Sequence, residues 1–367
     1  MMESTNPPAQ SRAGRNHTEV DRLKLKSAAK HAAALLLGIL ILNGFCAWYY
    51  NPAPYEKSPD RATDVVRRPG AVNAQAKEGI GVHRIDANGY NNPAMGDGEA
   101  VAVLMMGSSH TEGFNVPEGC DVSSLLGEKL RAAGREGRVY NIGMSAHNFK
   151  NCARNLANAL ERFRPTDCVV IETSELAFRP RAIRRAMAGK GRRRKATSVP
   201  LPALLSDRPL SKRLYKQFMG LMNAEDEEAA ESFTPKNIHM NDDQQARYTE
   251  ALTAWFTQLS GTAAAAGVKL VIWYHPRLTP TLDGGVESDA QQQCLACFRE
   301  ACAAAGVVFV DMSGPFLDAY AERAVLPAGF ANTALGVGHL NREGHRMAAE
   351  ALFEAIEAAV PGEGARP

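Results

Sequence analysis

Three short segments hold residue types suited to acyl chemistry. The first is Gly107-Ser108-Ser109-His110-Thr111-Glu112-Gly113, which follows an apolar run at 100–106. A glycine at a strand end permits a tight turn, and a serine just after it can present an exposed hydroxyl at a helix N-terminus. Ser109 is therefore a candidate nucleophile, and an N-cap or phosphate-binding loop is the competing role. The sequence contains no G-x-x-x-x-G-K-[ST] and no G-x-S-x-G. The second segment, Asn141-Ile142-Gly143-Met144-Ser145, offers a backbone N–H that could approach an oxyanion at Gly143, or merely a turn glycine. The third, Gly338-His339-Leu340-Asn341-Arg342-Glu343-Gly344-His345, puts His339 just ahead of a helix. There it could serve as a general base, or remain a solvated loop histidine. His110 adjoins Ser109, but neighbouring side chains usually diverge, so it is not the expected base.

The surrounding elements alternate. Strands are expected at 100–106, 138–142, 168–172, 268–274 and 307–310. Helices are expected at 122–133, 151–163, 244–266, 289–305 and 342–359, with Gly267 and Gly306 as stops. The continuous apolar run of the first strand suits a strand covered on both faces. This pattern predicts an α/β three-layer sandwich around a mainly parallel five-stranded sheet, flavodoxin-like in class. Reactive groups in such sheets gather in the loops at the carboxyl ends of the strands.

Taken in order, G-x-S after the first strand, N-x-G after the second and H-L-N-x-x-G-H before the last helix resemble the SGNH/GDSL hydrolase family over residues 100–360. The resemblance implies Ser109 as nucleophile and His339 as base, with the N–H groups of Ser109 and Gly143 forming an oxyanion hole. The family's third block normally supplies an Asn to that hole; here it reads Glu172-Thr173-Ser174-Glu175, which makes Ser174 the candidate donor. Ser108 stands where the family usually has Asp, and Gly336 stands where it has the Asp that orients the histidine. A backbone carbonyl, Asp311 or Glu172 would then have to take over that role. The resemblance implies no cofactor and no metal. With the amino-terminal features described next, it narrows to membrane-tethered SGNH proteins of cell-envelope acylation. That implies a membrane-anchored, extracytoplasmic serine esterase or O-acyl-transfer enzyme acting on an acylated cell-envelope glycan or polymer, partnered by a membrane-bound O-acyltransferase. The alternative is a non-catalytic accessory protein that binds an acylated carrier or glycan, a reading that Gly336 favours.

Residues 31–50 contain no Asp, Glu, Lys or Arg, and at ~1.5 Å per residue they are long enough to span a bilayer core. Arg22, Lys24, Lys26 and Lys30 precede them, Trp48, Tyr49 and Tyr50 close them, and Pro52 and Pro54 follow. The segment reads as an uncleaved cell-membrane anchor with a cytoplasmic amino terminus. A cleaved signal peptide and a core helix are the alternatives. The expected organisation is a basic leader (1–30), the anchor (31–50), a stalk (51–98), the hydrolase-like domain (99–360) with an insertion at 174–243, and a tail (361–367).

Of the 367 residues, 45% are hydrophobic and 22% charged, which excludes wholesale disorder, and the net charge of +2 argues against a nucleic-acid partner. A basic block from Arg179 to Lys195 in the insertion reads as a solvated loop or a contact for lipid headgroups or an anionic polymer. Cys294, Cys297 and Cys302 read as ordinary helix cysteines, with a disulfide as the next choice, and His275-Pro276 as a rigid loop entrance or part of the pocket.

Overall fold

The structure is a computed structural model, and it describes residues 12–93, 99–145, 147–188, 210 and 239–360, with side chains from residue 22 onward. Five strands form one sheet: β6 (Val101–Met106), β7 (Arg138–Asn141), β8 (Cys168–Thr173), β9 (Lys269–Tyr274) and β12 (Val308–Asp311), with β10 (Leu278–Pro280) and β11 (Val286–Ser288) forming a separate antiparallel pair. They lie in the order β12-β9-β8-β6-β7, and every pairing is parallel. All six residues of β6 are buried because both faces are covered. Leu104 and Met106 pack into one core with helices α4 (Phe149–Phe163), α5 (Pro180–Met187), α6 (Asp242–Ala265) and α7 (Gln292–Ala304). Val103 and Met105 pack on the other face against α3 (Val122–Ala132), α8 (Ser313–Arg323) and α9 (Arg342–Ala359). The three-layer α/β sandwich expected from the strand–helix alternation is the observed fold.

Side-chain caps start the helices close to where the sequence implies. Asp121 accepts from the N–H groups of Ser123 and Ser124 at the start of α3. Asn148 and Asn151 form a reciprocal capping box on α4, as Asn241 and Gln244 do on α6. Asn341 accepts from Glu343 and Gly344 and so fixes the start of α9, immediately after His339.

The segment expected to be a stalk is instead part of the body. It forms β1 (Tyr50–Asn51), β2 (Tyr55–Lys57), β3 (Val65–Arg67), β4 (Val72–Gln75) and β5 (Gly81–Arg84), paired antiparallel as β1-β4-β5 and β2-β3. Val65, Val66 and Tyr90 join the main core. Two buried ion pairs dock the segment: Arg67 on Glu112, and Arg154 on Asp64 at 2.7 and 2.8 Å. The physical reason is that a Pro- and Gly-rich stretch also suits short twisted strands, and charges that look solvated in sequence are paired and buried here.

Ahead of this body, α1 (Arg12–Tyr49) is one 38-residue helix. Its stretch Arg22–Tyr49 is long and apolar enough to cross a membrane, and Leu35, Leu36, Leu37, Leu40 and Ile41 are exposed. In the expected insertion, Lys190, Arg192, Arg193, Arg194 and Lys195 lie outside the described residues, whereas Arg181, Arg184 and Arg185 belong to α5. All seven cysteines are free thiols, so no disulfide forms among Cys294, Cys297 and Cys302.

Candidate active site

The chain turns after β6 through Gly107, and Ser108 caps the short helix α2 (Ser109–Glu112) by accepting from the N–H of His110. The cap and the nucleophile candidate are thus two adjacent serines. Ser109 is the first residue of α2, so its N–H has no intrahelical acceptor. Beneath the turn lies the buried carboxylate of Glu172, at the carboxyl end of β8. One of its oxygens accepts from the Ser108 N–H at 2.5 Å and from the Thr111 hydroxyl at 3.2 Å; the other meets His275 Nε2 at 3.0 Å. Burial pushes the Glu172 carboxyl up, but the bonds from His275 and Ser108 outweigh it, and the pKa lies below the ordinary value. Glu172 therefore ties the turn that carries Ser109 to the end of β8.

His339 arrives from the loop before α9. Its Nε2 is 2.8 Å from Ser109 Oγ, and its Nδ1 is 2.8 Å from Glu78 Oε2. The backbone N–H of His339 donates to the other Glu78 oxygen at 2.6 Å. Burial alone would raise the Glu78 carboxyl, yet the side-chain and backbone bonds from His339 hold it below the ordinary value. A serine hydroxyl, an imidazole and an ionised carboxylate thus stand in line.

Neither acid expected from the sequence, Asp311 or Glu172, meets His339 Nδ1. Asp311 instead receives the N–H of Ser313 and a guanidinium bond from Arg299, and Glu172 serves the nucleophile turn. Gly336 does not need to be an acid; it has φ +74°, and a Cβ there would lie 2.6 Å from Pro280 Cδ and 2.7 Å from the Leu278 carbonyl. Gly338 has φ +93°, and its missing Cβ leaves the space that Glu78 Oε1 fills.

Gly143 lies buried at the end of β7, where its N–H donates to Asn141 Oδ1 at 2.8 Å. Ser174 is exposed and lines a cavity of about 470 Å³ beside the triad. His110, His275, Lys150, Arg277 and Gly338 also line it. His345 points away, buried, and its Nδ1 accepts the Val122 N–H at 3.2 Å at the start of α3. Among the described residues no cluster of side chains could hold a metal ion.

No family profile and no curated protein matches the sequence. Comparison with solved structures does find similar ones. They include a protein of Slackia heliotrinireducens assigned to the SGNH hydrolases (18% identity, 70% of this chain and 100% of that one, TM-score 0.37). Others are an acetyl xylan esterase, AlAXEase (12%, 70% and 99%, 0.40), and a GDSL-like lipase from Bacteroides thetaiotaomicron (14%, 71% and 89%, 0.34). These similar structures are SGNH-type and related ester hydrolases.

Proposed function

We propose that the chain is a membrane-anchored serine esterase or O-acyl-transfer enzyme of the SGNH type. The observation that carries this reading is the Glu78–His339–Ser109 relay, with both links at 2.8 Å. Ser109 Oγ attacks an acyl carbonyl while His339 Nε2 takes its proton. Glu78 keeps the other ring nitrogen protonated and offsets the imidazolium charge. The N–H of Ser109 supports the oxyanion. Gly143 can join it only by exchanging its bond to Asn141 for one to the substrate, and the Ser174 hydroxyl is the remaining proposed donor. The intermediate then collapses, His339 protonates the departing alcohol, and Ser109 carries the acyl group. Water or a sugar hydroxyl, deprotonated by His339, releases the acyl group and restores the serine.

The acylated glycan or polymer substrate and an O-acyltransferase partner follow from the family resemblance. α1 supports membrane attachment, since its exposed apolar face has no cover in the described body. The accessory-protein reading drew on the absent acid at Gly336, and Glu78 removes that ground.

A fluorophosphonate probe tests the reading, with the modified peptide mapped by mass spectrometry. Modification of Ser109 that disappears in Ser109→Ala is the expected result. Folded wild-type protein that stays unmodified would overturn the enzyme in favour of the binder.

A further inference from the structure

The proposed oxyanion site is short of donors. The Gly143 N–H is occupied by Asn141, which leaves the Ser109 N–H as the one backbone donor of the expected pair that is open. Acyl-transfer sites commonly aim two or more donors at the developing charge, and each is worth a large share of the rate.

His110 has the features of a second donor. Its ring lies between two imidazoles, 4.5 Å from His275 and 5.1 Å from His339, centroid to centroid. Each outer ring has its own carboxylate, Glu172 for His275 and Glu78 for His339, and the central ring has none among the described residues. Loss of solvation, followed by the neighbouring His275 and His339, pushes the His110 pKa well below the ordinary value, so the ring is neutral. Its Nδ1 accepts the Leu340 N–H at 3.2 Å, which makes Nδ1 the unprotonated nitrogen and assigns the proton to Nε2. That Nε2–H has no acceptor among the described residues, on a ring that is only partly buried. The ring lines the cavity beside Ser109.

We propose that His110 is a side-chain donor of the oxyanion hole, presenting a neutral Nε2–H to the carbonyl oxygen of the acyl substrate. The inference rests on Ser109 being the nucleophile. A ring that stays neutral suits the position, because His339 becomes cationic nearby during the reaction, and a second cation there would oppose proton transfer.

Two substitutions separate this role from a structural one. The Oδ1 of His110→Asn replaces Nδ1 and keeps the Leu340 bond, but loses the donor at Nε2. The amide of His110→Gln replaces the Nε2 donor and loses the Leu340 acceptor. The full chain in detergent is treated with a fluorophosphonate, whose phosphonyl oxygen stands in for the oxyanion, and the rate of Ser109 modification is followed. Hydrolysis of p-nitrophenyl acetate is measured in parallel. The expected result is a fall of about tenfold or more in labelling rate and kcat/KM for His110→Asn, with His110→Gln within a few-fold of wild type. Slow Gln with fast Asn, both slow, or both fast would each overturn the donor role. If the wild-type protein is not labelled at Ser109, the nucleophile reading falls and takes this inference with it. A labelled wild type with an unaffected Asn variant sinks the His110 role alone.

Discussion

At the residue scale, the proposed site is a carboxylate, an imidazole and a serine hydroxyl joined by two short hydrogen bonds. Ser109→Ala should abolish covalent labelling, read by mass spectrometry of the modified peptide. His339→Ala should slow acylation by roughly 10²–10⁴, the usual worth of a positioned base. Gly336→Asp should give no gain in rate, because Glu78 already holds Nδ1. It should cost about 1–3 kcal/mol of stability from the left-handed backbone alone, measurable by urea unfolding. The serine and histidine were legible because each sits at an element boundary with a local signature. The acid was not: Glu78 lies in a polar loop, and nothing in its neighbours marks a carboxylate that meets its partner 261 positions later. The expectation that adjacent side chains diverge hides His110 from a sequence reading, yet its ring centroid lies 5.1 Å from that of His339.

At the element scale, the short strands ahead of β6 are tied to the helix that begins at Ser109. Arg67 on β3 binds Glu112, the last residue of the nucleophile helix α2, and also donates to the Ala53 carbonyl. Its guanidinium lies 4.0 Å over the Tyr55 ring. Arg67→Met should leave Glu112 buried without its counter-ion and cost about 3–5 kcal/mol, seen as a lower urea midpoint together with weaker Ser109 labelling. Periodicity made the five parallel strands and their helices readable. Residues 51–93 were misread because strands of two to four residues are too short to show alternation, and ion-pair burial leaves no trace in the sequence. Two histidines with depressed pKa values give the fold an acid response. Burial lowers His345 to about 3, and His110 is also lowered. Below the unfolded value near 6.5 the unfolded chain takes up protons that the native state refuses, so stability falls with pH, by up to about 1.4 kcal/mol per pH unit for each group. Glu78 and Glu172 act with the same sign at lower pH: both are depressed in the fold, so their contribution is lost as pH falls below about 4.5. Since Asn can supply an acceptor where Nδ1 stands, His345→Asn should keep the Val122 bond and flatten the urea midpoint between pH 4 and 6.5. An unchanged slope would contradict this.

At the scale of the whole molecule, one apolar helix precedes a body whose proposed catalytic residues come from three distant stretches. Under the proposed anchoring by α1, the cationic leader before residue 31 puts this body outside the cytoplasm. Protease added to intact spheroplasts should therefore digest it, and protection until lysis would contradict that orientation. The strands that follow the helix also deliver Glu78 to His339, so the segment between anchor and sheet completes the site. That is the central claim, and the rate of fluorophosphonate labelling at Ser109 in Glu78→Gln against wild type tests it most directly. Gln can still meet the ring but carries no charge to stabilise the imidazolium, so the expected result is a fall of roughly 10²-fold or more in a folded protein. Equal rates in the two proteins would mean that His339 works without Glu78, and the triad would be contradicted.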